Sequence, residues 1–361
     1  YEIKYTFGWT PLQQYLIELP GGRLQALSIA WDSRAKEQGG QKWFHLYPNE
    51  RIAPGDELFW TQASQNWNYM CAECHSTDLR KNYQPDGDRY ATTWAEIDVA
   101  CEACHGPGSR HVAWAGKAPR DEADADRGLV VRLGNVDGAS WVMDGERGIA
   151  RRTLPRTGQV QLQTCARCHS RRALLHEPYA HGKPIGDTHR VSLLEDRLYQ
   201  VDGQILDEVY EYGSFLQSRM HREGVTCSDC HDPHSLQLKA PGNGVCLSCH
   251  LAAKYDAPTH HHHPAKSPGA VCVECHAPTR LYMVVDARRD HSFRVPRPDL
   301  AKRLGTPDAC TACHKDKDAA WAADAITGRF SDARQPTEAA AAFLRAEELD
   351  SGIVVGRGAD I

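Results

Sequence analysis

The 361-residue chain has no apolar run near the roughly 18–20 residues that a membrane-spanning helix needs. It has no basic stripe interleaved with aromatics, so nothing in it argues for nucleic acid. Its net charge is only −5, with acidic and basic residues interspersed. Apolar residues are few for this length, at 41%, whereas Gly (29), Pro (20), Cys (14) and His (19) are plentiful. A chain of two or three domains' length with so little apolar content needs something besides its own side chains to pack around. Neither Met nor a charged-then-apolar leader opens the sequence, which starts at Tyr1. Tyr1, Ile3, Tyr5 and Phe7 alternate with polar residues like a strand already in progress, which favours an N-terminus cut back from a longer chain.

No cysteine stands outside one pattern. All fourteen fall in seven copies of C-x-x-C-H: Cys71–His75, Cys101–His105, Cys165–His169, Cys227–His231, Cys246–His250, Cys272–His276 and Cys310–His314. The paired thiols are Cys71 with Cys74, Cys101 with Cys104, Cys165 with Cys168, Cys227 with Cys230, Cys246 with Cys249, Cys272 with Cys275, and Cys310 with Cys313. Two thiols three positions apart in a tight turn can each add to a vinyl group of one porphyrin. The next residue, His, then lies under the ring and gives an imidazole nitrogen to the iron. Disulfides would not require a His after every second Cys. A zinc ribbon would suit the fifteen residues between Cys230 and Cys246. The other pairs do not keep that distance, and zinc ribbons need no following His. The pattern therefore reads as seven covalent haems c, with proximal ligands His75, His105, His169, His231, His250, His276 and His314. Such attachment takes place outside the cytoplasm, so the expected location is periplasmic or extracellular in a prokaryote.

Successive motifs start 30, 64, 62, 19, 26 and 38 residues apart. The short intervals from Cys227 to Cys310 leave little chain between neighbours, so those haems must lie close together. The expected fold class is mainly α and irregular: a multihaem cytochrome c fold with haems as its core, short helices at each motif and few strands. Residues 1–65 form a β-rich region, with runs Gln14–Leu19 and Leu24–Trp31 joined at Pro20-Gly21-Gly22. Residues 66–316 form the haem body. Residues 317–361 read as a helical tail, with helices over Asp318–Ile326 and Pro336–Leu349.

Four methionines (Met70, Met143, Met220, Met283) cannot supply seven Met/His irons, whereas twelve further histidines can supply seven bis-His irons. Two imidazoles hold a lower potential than Met/His ligation, which suits relay. His234 is too near His231 to reach the far face of its own haem and is placed to ligate a neighbour. His111, behind a Gly-Pro-Gly turn, invites the same reading. His291 is a short reach from Cys272–His276. At most one or two of His260–His263 can face one iron. The pairs Arg151-Arg152, Arg171-Arg172 and Arg288-Arg289 read as solvated or paired with haem propionates.

Cys101–His111 (CEACHGPGSRH), Gly224–His234 (GVTCSDCHDPH) and Cys272–Pro298 resemble the superfamily of pentahaem nitrite reductase and octahaem hydroxylamine oxidoreductase. The likeness extends to members with a C-terminal helical tail of tetratricopeptide type. It implies distal ligands at His111, His234, His261 or His263, and His291. His45, His181 and His189 lie in segments similar to the family's. Two departures stand out: a further upstream C-x-x-C-H is not present, and the C-terminal repeats stop early.

Three functions compete. The favoured one is an electron carrier with no catalytic residue, every iron six-coordinate, and redox proteins as partners. An oxyanion- or hydroxylamine-type oxidoreductase would need one open iron, and the sequence has no C-x-x-C-K variant to mark it. A head-to-tail conducting filament would make further copies of the chain the partner.

Overall fold

The computed structural model describes residues 1–118, 124–134 and 137–329. Two compact units divide the chain. The first comprises Tyr1–Leu133, Leu174–Thr188 and Leu281–Arg288; the second comprises Gly134–Ala173, His189–Arg280 and the residues from Arg289 onward.

The first unit is built on an antiparallel sheet of β1 (Ile3–Phe7), β2 (Leu12–Leu19), β3 (Arg23–Ala26), β4 (Ile29–Asp32) and β5 (Lys42–His45). The order is β1-β2-β4-β5, with β3 also paired to β2. The run read as one strand over Leu24–Trp31 is two. β3 pairs with Leu16–Leu19 of β2, and β4 with Leu12 and Gln13. The turn joining β2 to β3 needs glycine: Gly22 has φ +71°, and a Cβ there would meet the Tyr90 carbonyl oxygen.

Alternation along β2 and β3 sends Leu16, Leu24 and Ala26 inward, where they enclose Trp67 and Ala72. Trp94 meets the rings of both Trp67 and Tyr5 edge-on. Buried amides then tie the following segment to this sheet. Asn68 accepts from Leu24 N at 2.7 Å and donates to Thr92 Oγ1 at 2.9 Å, while Asn66 donates to Gln25 Oε1 at 2.9 Å.

Asp32 is fully buried and takes three bonds from Arg34, Nε at 2.9 Å, Nη2 at 2.7 Å and the backbone N at 3.1 Å. The hydrogen bonds from Arg34 hold the Asp32 carboxyl below its ordinary range, against the opposing effect of burial. A depressed folded-state pKa gives stability that is complete above the unfolded carboxylate value and is lost as pH falls through the folded value. Asp32→Asn should therefore cost about 1–3 kcal/mol at neutral pH and much less in acid. Thermal unfolding as a function of pH checks this.

The second unit is mostly short helices and two-stranded ladders. Among the described residues the chain has thirteen α-helical segments and fifteen strands, so it is mixed helix and strand, not the mainly α chain expected. The added strands come from hairpins such as Trp141–Asp144 with Ile149–Arg152 and His231–Asp232 with Gln237–Leu238. Most helices have four to seven residues, too short to persist without caps and tertiary contacts. The helix read over Asp318–Ile326 is Ala319–Arg329, while Pro336–Leu349 lies outside the described residues. No helix among the described residues is long and apolar enough to cross a membrane.

Candidate haem sites

The attachment motifs sit on helical turns. The His N–H bonds the carbonyl of the first Cys at 3.2 Å in Cys71–His75, and at 2.9 Å in both Cys246–His250 and Cys310–His314. The second cysteine is held by the same turn, with Cys74 N donating to the Cys71 carbonyl at 3.1 Å. Cys104 lies within the helix Cys101–His105, and Cys168 within the longer helix Val160–His169. Positions i, i+3 and i+4 of such a turn share one face. Both sulfurs and the imidazole therefore leave the backbone on the same side, as attachment at two points plus one axial bond requires. Local caps hold these turns. Thr226 and Asp229 form a capping box at Cys227–Cys230, and Asp308 Oδ1 accepts from Cys310 N at 2.9 Å.

The thiols fit a covalent porphyrin. Free cysteine is ordinarily among the most buried residue types, yet none of the fourteen is buried and none is in a disulfide. Cys101, Cys104 and Cys313 are exposed. Cys71, Cys74, Cys165 and Cys168 are half-buried, as are the remaining cysteines. The second thiol of each motif is thus as open to a porphyrin vinyl as the first. Among the described residues no three His, Cys, Asp or Glu side chains converge on a metal-ion site, as a zinc ribbon would need. The iron of a haem is held largely by its porphyrin, so one imidazole beside each pair of cysteines meets its need from the motif. Burial pushes the Cys230 and Cys310 thiols up to about 11.

The imidazoles sort by which ring nitrogen is engaged. A metal-ligating His usually donates its other ring N–H to a carbonyl or carboxylate. Nδ1 lies 2.9 Å from Glu211 Oε2 in His169 and 3.0 Å from the Arg294 carbonyl oxygen in His276. It lies 2.7 Å from Arg127 O in His111, 3.0 Å from Arg289 O in His291, and against His261 O in His263. Donation from Nδ1 leaves the Nε2 lone pair for iron. His45 and His261 differ, because their Nδ1 atoms accept backbone N–H groups from Tyr47 and His263. That bond puts the ring proton on Nε2, the wrong tautomer for ligation through that atom.

Three pairs of rings come close together: His231 with His291 at 6.3 Å between centroids and 26° between planes, His276 with His260 at 6.1 Å and 11°, and His314 with His263 at 6.1 Å and 34°. Two imidazoles bonded at about 2 Å to opposite sides of one metal have centroids about 6 Å apart. His291 thus lies with His231, not with the motif nearer in sequence. His260 was not distinguished within its run by the sequence. The helix Pro258–His261 ends there and His262 is left-handed at φ 56°, so His260 and His263 turn to different motifs.

The remaining candidates are placed as follows. His181 packs against Gly106, the residue after His105, whose Cβ would lie 3.1 Å from its ring. His189 is buried, and His234 is exposed with Nδ1 3.8 Å from Asp232. Two of the three arginine pairs meet protein carboxylates, Arg152 at Asp137 and Arg289 at Glu274, both at 2.8 Å, whereas Arg171 and Arg172 donate to the backbone carbonyl oxygens of Glu208 and Arg167.

Residues 36–106 match the family model described as cytochrome c554 and c-prime, and residues 221–255 match that of the doubled CXXCH motif. The chain is a multihaem c-type cytochrome. Its fold is similar to that of the outer cell wall cytochrome OcwA, with a TM-score of 0.57 and 18% identity over 89% of this chain and 73% of the other. A second similar structure is the undecahaem cytochrome from the S-layer of Carboxydothermus ferrireducens, with a TM-score of 0.42 and 17% identity. That match covers 91% of this chain and 53% of the S-layer protein. No curated protein matches the cytochrome's sequence. The matched models cover two of the regions that carry attachment motifs, and the other motifs repeat the same turn.

Proposed function

We propose that this cytochrome carries single electrons through seven haems c and acts outside the cytoplasm, with other redox proteins as partners. Haem supplies a one-electron ferric/ferrous couple. The fourteen cysteines hold it by thioether bonds, and the seven motif histidines give the proximal nitrogen. His291, His260 and His263 give the distal nitrogen opposite His231, His276 and His314. His111, with Nδ1 already committed to Arg127 O, is a further distal ligand. Location outside the cytoplasm follows from covalent attachment, and the similar fold is that of an outer cell wall cytochrome. The kinship with nitrite and hydroxylamine enzymes and the tetratricopeptide-type tail belong to this proposal as its family frame.

The observation that carries the reading is the set of three close imidazole pairs at 6.1–6.3 Å. Two-sided nitrogen ligation fills both axial positions, which favours relay over substrate binding. Low-temperature magnetic resonance of the oxidised holoprotein, together with its intact mass, tests it. Seven haems on the 40.2 kDa polypeptide with low-spin iron throughout is the expected result. A bare polypeptide mass overturns the assignment, and a high-spin iron that binds added ligands redirects it to catalysis. His263→Met should raise the potential of the haem at Cys310–Cys313, because a thioether favours ferrous iron. Spectroelectrochemical titration reads that shift.

A further inference from the structure

In the second unit the anchors of neighbouring motifs touch. The Cys165 thiol hydrogen-bonds the Cys227 sulfur, and the Cys246 and Cys272 sulfurs are bonded likewise. Each contact joins motifs that are neighbours in sequence, Cys165 with Cys227 and Cys246 with Cys272.

Two side-chain amides fasten the touching anchors. Gln161 lies one turn before Cys165 on the helix Val160–His169. Its Nε2 donates to Ser228 Oγ at 2.8 Å. Its Oε1 accepts from Ser228 Oγ at 3.0 Å and from Ser228 N at 3.4 Å. Ser228 is the residue after Cys227. Asn243 repeats the device. Its carbonyl starts the turn of Cys246, at 2.9 Å from Cys246 N. Its Oδ1 accepts from Cys272 N at 2.9 Å, and its Nδ2 donates to Ala270 O at 2.9 Å. In both cases an amide fixed to one attachment turn grips the N-terminal end of the next, where backbone N–H groups have no helical partner.

We propose that Gln161 and Asn243 are positioning residues that set the spacing of two pairs of haem anchors, Cys165 with Cys227 and Cys246 with Cys272, so that an electron passes directly between the two haems of each pair. The proposal rests on the reading that these motifs carry haem. Porphyrins bonded to these sulfurs would lie close to one another, and each clamp holds its two turns in one relative geometry. Haem bound there would supply a one-electron ferric/ferrous couple at each motif, and each clamp would keep the two couples of its pair at one separation.

The test uses the holoprotein and Gln161→Leu, which keeps the bulk and removes all three bonds. The expected result is a full haem count by mass, unchanged low-spin signals, and a diminished excitonic couplet in Soret circular dichroism. Gln161→Glu retains both acceptor contacts from Ser228 and should restore the couplet. Should Gln161→Leu fail to fold, Ser228→Ala removes the two hydroxyl bonds while leaving the helix intact and should weaken the couplet in the same way. An unchanged couplet in a fully loaded Gln161→Leu or Ser228→Ala protein overturns the clamp. Wild-type protein without haem would instead overturn the reading beneath it, so the two failures are separable.

Discussion

Replacing His291 with alanine is expected to turn one iron from low to high spin while the haem count stays at seven. The ring of His291 lies 6.3 Å from that of His231, and its Nδ1 is engaged by Arg289 O, which leaves Nε2 to bind. Alanine has no donor atom, so the iron held by His231 should lose its sixth ligand and accept cyanide or water. About one seventh of the magnetic-resonance intensity should move to high-spin positions, on the logic that axial ligation sets spin and access. His261→Ala is the control. That ring accepts the His263 N–H on Nδ1, so its loss should leave every iron low spin. A high-spin signal from His261→Ala, or none from His291→Ala, would reverse the pairing.

The second large effect concerns the sheet that supports the first attachment turn. Trp67 is 1% exposed and enclosed by Leu16, Leu24 and Trp94. Its carbonyl also accepts the N–H groups of Cys71 at 3.0 Å and Ala72 at 2.8 Å. Trp67→Ala should cost about 3–5 kcal/mol through lost burial and the cavity left behind. Its indole N–H is buried without a hydrogen-bond partner, so Trp67→Phe should cost far less than its volume change suggests. Trp9, 80% exposed, serves as the reference, and its change to alanine should stay within about 0.5 kcal/mol. Denaturant unfolding followed by far-ultraviolet circular dichroism distinguishes the three.

What the sequence disclosed depended on how local each feature is. The attachment turns were fully legible, because five consecutive residues contain all the chemistry of the anchor. The hairpin at Pro20-Gly21-Gly22 and the strand over residues 3–7 were legible for the same reason. Which histidine rings come together was not. His291 is 15 residues from His276 and 60 from His231, yet the fold sets it against the more distant partner. His45 stood with His181 and His189 in segments similar to the family's and His261 as the alternative to His263, and the direction of one hydrogen bond on Nδ1 sets both apart. The strand content was understated because ladders such as His231–Asp232 with Gln237–Leu238 are two residues long, too short for alternation to show.

The backbone at His262 has a reach beyond its own side chain. With φ at 56° it reverses the chain between two histidines that lie beside separate partners, His276 and His314. A β-branched residue there would resist that conformation. On the proposed ligation, one altered torsion would then disturb the ligand fields of two irons together, and a single lesion in this short loop would count twice.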